Sequence, residues 1–362
     1  MTCARLLHRP VDFDHKLVMA IGVTFSDFPS LLNISTAIRN GSVEFSLKAP
    51  EAAEVIRSAK VVWNRRFVQF ERPDEAHADD LRAIYTLGAQ FLRHSREALF
   101  PGAFWVNAPA GQQFANNKVN QLRVAALCGM RTPDTLISNN PSDIRAFIGS
   151  ANRSTIAKPM APLKWHGDGY VAAPFTARIS LDMCQRDSSL FLAPMIYQHE
   201  ILKAYELRVV VMGKSIFAYK IDSQAIPEAS LDWRAAQQRE DLVHLPYELD
   251  DRTRESIFAF MQQSGIVFGS MDFIIDRDGV PFFLEMNEQG QFLFLEERCD
   301  DAPLLDAFVK FLESGDESFV YRPEASRISF RQFLDSPSWV DGSAAHLSSH
   351  RTYELGISQA EK

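Results

Sequence analysis

The sequence predicts an α/β (α+β) fold divided into two or three subdomains. Its 362 residues exceed what one typical core holds. Apolar runs of strand length alternate with stretches at helical spacing, and Gly, Pro and Asp-Gly signals separate them. Hydrophobic residues at 46% and charged residues at 23% are ordinary for a packed soluble protein and exclude a disordered chain. Apolar runs such as Leu190–Tyr197 and Val209–Met212 fall short of the roughly 20 residues a bilayer requires. The N-terminus meets Asp12–Lys16 before any long apolar run, so no secretory signal is expected and the protein is expected to be cytoplasmic.

Lys16–Phe25, Ser42–Lys48 and Lys60–Trp63 read as strands. A helix follows from about Asp79 to Leu99, with Leu81, Ile84, Phe91 and Leu92 near helical spacing. A strand at Phe104–Asn107 leads through Pro109 and Gly111 into a helix over Asn117–Leu127, which Gly129 ends before Pro133. From Thr155 to Gly213 strands alternate with turns, and the polar, glycine-rich Lys164–Tyr170 is expected to be a mobile loop. Ser230–Tyr247 is a polar insertion containing Asp232, Trp233 and Arg234. A helix over Arg252–Gln263 stops at Gly265, a hairpin follows, and Ala302–Leu312 is the closing helix. Past residue 316 periodicity fades and serine rises, so a partly disordered tail is expected.

A formal charge of −8 disfavours non-specific nucleic-acid binding. The four cysteines are widely separated and the nine histidines scattered, which argues against disulfides and structural zinc. No P-loop, Rossmann fingerprint or nucleophile elbow is present.

The hairpin carries the strongest chemical signal. Asp278-Gly279 is a preferred two-residue turn, and folding there sets Asp272 opposite Glu285 in a non-hydrogen-bonded pair. Asn287 lies two residues on and shares that face. Opposed carboxylates repel, and a divalent cation between them removes the repulsion. Three oxygen donors that leave room for phosphate suit magnesium. The alternative is a solvated acidic edge, against which stand the apolar neighbours Phe273, Ile274, Ile275, Phe282, Phe283 and Leu284.

Isolated cations accompany this pair. Lys158 leaves an apolar strand before the glycine-rich loop, placed either to meet an anion or to reach solvent. Arg208 sits in an apolar strand on the same face as Glu206, whose simplest reading is a local ion pair. Lys118 stands in the first turn of its helix, where the helix end already favours anions. A magnesium triad with dispersed cations suits phosphoryl chemistry, which needs charge neutralisation more than a nucleophile.

In this order the motifs resemble the ATP-grasp superfamily, and within it the microviridin-type peptide macrocyclases, or graspetide synthetases. The resemblance rests on Trp63-Asn-Arg-Arg66, Trp105-Val-Asn107 with Lys118 and Gln121, Thr132–Thr135, Lys158-Pro159, Gln198–Ile201, Glu206-Leu-Arg208, Asp232-Trp-Arg234, Asp272-Phe273 and Glu285-Met-Asn287, spread over roughly residues 60–313. Asn64, Gln289 and Phe294 depart from the pattern, and none is a proposed ligand.

The resemblance implies a pre-ATP-grasp domain over 1–112, a central lid subdomain over 113–200, a C-terminal ATP-grasp subdomain over 201–315 and a tail over 316–362. It implies ATP and Mg2+ as cofactors. Lys118, Lys158, Gln198, His199, Glu200, Ile201, Glu206 and Arg208 would bind ATP, with Gln198–Ile201 as the hinge that holds adenine through backbone groups. Asp272, Glu285 and Asn287 would hold magnesium; Arg208, Arg234 and Asn287 would be catalytic; Asp232 and Arg234 would meet the substrate peptide. The partner it implies is a precursor peptide, leader plus core; a homodimer is allowed, and no nucleic acid or membrane partner is expected. The expected activity is ligation: Asp or Glu side chains of that peptide become acyl phosphates, which Ser, Thr or Lys attacks to give ester or amide rings. The alternatives are a ligase joining an amino acid to a small acid or protein terminus, and a nucleotide-binding regulator without turnover.

Overall fold

The computed structural model describes residues 7–13, 16–22, 33–47, 58–65, 72–150, 153–161, 165–167, 170–172, 176–299 and 301–337, with Phe28, Ile56 and Trp339. Two antiparallel hairpins come first, β1 (Leu7–Phe13) with β2 (Lys16–Gly22) and β3 (Ile34–Arg39) with β4 (Ser42–Leu47). β5 (Val61–Trp63) is joined through α1 (Leu81–Leu99) to β6 (Phe104–Val106), and the two strands pair in parallel. A parallel pair needs such a crossover. Gly88, Leu92, Ser95 and Leu99 form the buried stripe of α1.

Sequence reasoning missed α2 (Pro109–Ala115), although Pro109 at its first turn is a helix-start signal. Gly111 permits close packing there, since a Cβ would lie 2.1 Å from the Gly265 carbonyl oxygen. α3 (Lys118–Leu127) is capped by the Asn117 side chain, which accepts from the Val119 and Asn120 N–H groups.

Next come β7 (Thr135–Ser138), α4 (Pro141–Gly149), β8 (Thr155–Lys158), β9 (Trp165–Gly167), β10 (Tyr170–Ala172), β11 (Ala177–Ile179), α5 (Ser188–Phe191) and β12 (Met195–His199). They build a four-stranded antiparallel sheet in the order β11-β8-β12-β7 over a core that includes Ile144, Ile148 and Tyr197. The stretch expected as a mobile loop contributes β9 and β10, paired antiparallel, while Lys164, Asp168 and Gly169 lie outside the described residues.

The larger sheet has the order β15-β14-β13-β16-β17. Its members are β13 (Lys203–Met212), β14 (Ser215–Ile221), β15 (His244–Tyr247), β16 (Phe268–Asp276) and β17 (Pro281–Asn287), with α6 (Asp251–Ser264) between β15 and β16. Period two divides β13 between two cores. Leu207, Val209 and Val211 pack with Ile257 and Phe260 of α6; Val210 and Met212 pack with Phe308 and Phe311 of the closing helix. α7 (Leu293–Arg298), α8 (Leu304–Ser314) and α9 (Phe330–Leu334) complete the chain. The expected boundary at 316 does not end the packed structure. Phe319 and Tyr321 join the α8 core, the Tyr321 hydroxyl donates to Asp306 at 2.9 Å, and the Phe330 N–H donates to Glu296 at 2.6 Å.

The hairpin turn is longer than predicted. Arg277, Asp278 and Gly279 form a three-residue loop, closed by the Asp276 N–H on the Val280 carbonyl at 3.0 Å, with Gly279 at φ 78°. Alone, that would shift every pair by one. A β-bulge follows: Phe273 pairs with Phe283, while Asp272 pairs with Glu285, so Leu284 is the extra residue. The bulge lets Phe283 and Met286 share one core while Glu285 takes the opposite face. The carboxylates therefore oppose each other as predicted.

Candidate active site

Arg208 lies directly across the β13–β16 ladder from Asp272. Its Nη1 donates to both Asp272 carboxylate oxygens at 2.8 Å, and its Nη2 donates to the Gln291 carbonyl at 2.8 Å. The expected ion pair of Arg208 with Glu206 does not form. Glu206 instead accepts from Lys203 Nζ at 2.6 Å, because β13 carries a register shift between Lys203 and Tyr205. Burial pushes the Glu206 carboxyl up, against the pull of Lys203.

Asn287 faces the same way and donates from Nδ2 to Asp272 at 3.1 Å. Lys118 Nζ donates to Glu285 at 2.7 Å. Its reach is set one turn along α3 by the buried Gln121 amide, which bonds both the N–H and the carbonyl of Met286 at 2.9 Å. The predicted repulsion between the carboxylates is thus met by the protein's own cations. Burial pushes Asp272 up, and neighbouring Glu285 adds to this against the pull of Arg208. Burial acts on Glu285 too, but Lys118 and Lys158 outweigh it and hold that carboxyl down to about 2. For Lys158 at the end of β8, burial lowers the pKa while Glu285 opposes the shift.

Asp232 and Arg234 pair with each other. Arg234 Nε and Nη2 donate to the two Asp232 oxygens at 2.8 and 2.6 Å, closing the fork that was expected to meet a substrate carboxylate. Asp232 also accepts from Thr176 Oγ1 at 3.1 Å, which ties the insertion to the start of β11. Despite burial, Arg234 and Thr176 hold the Asp232 carboxyl below its usual range.

A cavity of about 280 Å³ gathers this chemistry. Arg208, Arg234, Asp272, Glu285 and Asn287 line one part, and Trp233, His244 and Phe294 supply an aromatic part. The Trp233 and Phe294 rings stack with centroids 5.5 Å apart. Phe294, a departure from the family pattern, is therefore a wall of the pocket. Neither Glu206 nor Gln198–Ile201 lines it. Gln198 Nε2 donates to Thr135 at 2.8 Å, the His199 ring stacks 4.3 Å from Phe147, and Glu200 takes both arms of Arg178. These contacts fix side chains around the turn between the two sheets. Sequence reasoning passed over His244, one scattered histidine among nine.

Asn107 proves structural. It is fully buried, donates to the Phe268 and Glu288 carbonyls at 2.8 and 2.7 Å, and accepts from the Val267 and Phe268 N–H groups at 2.8 and 2.9 Å. Asn64 pairs its amide with that of Gln112.

Solved structures with similar architecture include ATP-grasp ligases and peptide macrocyclases. A Chryseobacterium gregarium RiPP-associated ATP-grasp ligase, in complex with ADP and a leader and core peptide, matches with TM-score 0.67 and 24% identity, over 81% of this chain and 85% of that one. The macrocyclase MdnC from Microcystis aeruginosa, bound with precursor peptide MdnA, matches with TM-score 0.65 and 24% identity, over 80% and 89%. The chain has an ATP-grasp fold. The ATP-grasp ligase PsnB, complexed with a phosphomimetic variant of minimal precursor, Mg and ADP, matches with TM-score 0.57 and 20% identity, over 79% and 87%. At these identities the likeness is one of fold, and it falls in the ATP-grasp group that the motifs resemble. No protein-family model matches the sequence, and no curated protein does. Among the described residues no helix is long and apolar enough to cross a membrane.

Proposed function

We propose that this ATP-grasp chain is an ADP-forming ligase that closes rings in a precursor peptide, leader plus core, in the cytoplasm. The carrying observation is the Asp272–Glu285 pair, opposed across one hairpin and surrounded by Arg208, Lys118, Lys158 and Arg234. Those four cations outnumber the three local carboxylates, Asp272, Glu285 and Asp232, so the site favours a polyphosphate anion.

The residues present also fit magnesium. Among the described residues no three His, Cys, Asp or Glu side chains converge. The ion would rest on two carboxylates, the Asn287 amide oxygen and phosphate oxygens, a hard oxygen set. Magnesium held there would supply charge neutralisation for the transferring phosphoryl group.

On this reading Lys118 turns from Glu285 to phosphate, joined by Lys158, and the Gln198–Ile201 backbone receives the adenine. Glu206 supports the nucleotide side only through the Lys203 contact. An Asp or Glu carboxylate oxygen of the peptide attacks the terminal phosphorus, the bond to ADP breaks, and an acyl phosphate forms. Arg208, fixed between Asp272 and the Gln291 carbonyl, stabilises the transferring charge. Arg234, held by Asp232 through Nε and Nη2, orients the carboxylate from its Nη1 side. A Ser or Thr hydroxyl or a Lys amine then attacks the acyl carbon and phosphate leaves, so each ring costs one ATP and the peptide loses the elements of one water, which depart in the phosphate.

The expected substrate is a precursor peptide rich in Thr or Ser and Glu or Asp, and a short reading frame of that composition beside this gene would identify it. Mass spectrometry of that peptide with ATP and magnesium should show one water lost per ring, matched by ADP. ATP-dependent mass gain on a free amino acid or small acid, with no water loss from the peptide, would replace this reading with the amino-acid ligase.

A further inference from the structure

His244 opens β15 and lines the cavity, and it is 5% exposed. Its Nδ1 lies 2.8 Å from the Leu242 carbonyl oxygen. A carbonyl only accepts, so Nδ1 carries the proton and Nε2 holds the free lone pair. Nε2 is buried without a hydrogen-bond partner. An orphaned buried acceptor is costly to the fold, and one on the wall of a reaction pocket points to a ligand proton.

The ring sits edge-on to Trp233 at 6.3 Å and to Phe294 at 6.0 Å, so two of its neighbours are apolar rings. Across the β14–β15 ladder it meets apolar Ile221. The charged groups sharing its cavity are Arg234, Glu297 and Arg298, beyond the reaction-end residues. Burial first, and then Arg298, lower its pKa from the ordinary histidine value, so the ring is neutral near pH 7.

The reaction end offers no comparable base. Arg208 and Arg234 have no lone pair to give, Asp272 is held by Arg208 and Asn287, and Glu285 is held by Lys118 and, on the ligase reading, would be taken by magnesium.

We propose that His244 Nε2 is the general base that takes the proton of the peptide's attacking hydroxyl or amine in the ring-closing step. The proposal rests on the ligase reading above. As the acceptor oxygen or nitrogen bonds to the acyl carbon, its proton passes to Nε2, and the carbon–oxygen bond to phosphate breaks with its electron pair on phosphate. The imidazolium then returns the proton to departing phosphate or water. Trp233 and Phe294 form the apolar seat for the acceptor's carbon stem.

The test separates the two half-reactions with the Thr/Ser- and Glu/Asp-rich peptide encoded beside the gene. Hydroxylamine traps the acyl phosphate as a hydroxamate without needing a base, while water loss reports ring closure. His244→Asn keeps an N–H donor for Leu242 and removes the Nε2 lone pair. Ring closure should fall roughly 100-fold relative to hydroxamate formation, within the usual range for a general base. The wild-type ring-closure rate should fall as acid protonates the base, with an apparent pKa below the ordinary histidine value, and this limb should vanish in the variant. Added imidazole should restore part of the closure in His244→Ala. Equal loss of both readouts would make His244 structural, and unchanged closure would remove it from the reaction; either result overturns the proposal. A wild-type protein that forms neither hydroxamate nor ring overturns the ligase reading itself.

Discussion

Asp272 stands on β16, inside the large sheet, and Glu285 on its edge strand β17, and the sheet packs into cores on both faces. Arg234, paired with Asp232, reaches the same cavity from a run of short 3-10 turns over 223–236, with a small core of their own around Ile226, Ala229 and Leu242. In the hairpin, backbone register places the charges and the cores prevent it from slipping. In the insertion, placement depends on side-chain bonds: Asp232 caps the turn at Arg234 N–H, grips its guanidinium and accepts from Thr176. The first region is a fixed electrostatic frame. The second is a local clamp that can be altered without disturbing the sheet.

This contrast is broken most forcefully at Arg208. Arg208→Ala leaves the Asp272 carboxylate facing Glu285 with Asn287 as its remaining side-chain donor, a situation that costs about 3–5 kcal/mol of stability. Turnover should fall further than that loss of folded protein explains, with kcat dropping more than the ATP KM rises. Denaturant melts and steady-state kinetics on the same preparation check both. Unchanged stability would show that the frame is not held by this pair.

Arg234→Lys should act in the opposite pattern and more weakly. The Arg234 side chain is 50% exposed, so its pair with Asp232 adds little to stability. Lysine keeps the charge but loses the two-pronged fork. Ring closure should drop about tenfold, the effect of roughly 1.4 kcal/mol, with melting temperature and ATP affinity unchanged. A variant that loses ATP affinity in step with ring closure would place Arg234 in the frame rather than in the clamp.

How much of this was legible follows the same division. The carboxylate pairing came from the hairpin pattern, although two one-residue offsets had to cancel. An Asp-Gly pair suits both a two-residue turn and a three-residue loop with glycine at positive φ, and the apolar Phe283 and Leu284 give no sign of which is the bulge. Period two put Glu206 and Arg208 on one face but could not show that each has a partner on another segment: Lys203 past a register shift, and Asp272 on β16. Asn107, Gln121 and Asn64 entered as motif letters. Their work is tertiary, satisfying backbone or amide groups more than forty residues away. His244 left no sequence signal at all, because its orphaned nitrogen arises only when the insertion folds over Phe294.

The most direct test of the frame is Glu285→Gln, which removes charge and little volume. Lys118 and Lys158 now hold this carboxyl ionised. With the neighbouring-frame peptide, ATP and magnesium, the variant should lose roughly 100-fold or more in water loss and in ADP release together, the scale for losing one transition-state contact. Its circular dichroism should match the wild type. Wild-type rates of both at ordinary magnesium would contradict the account.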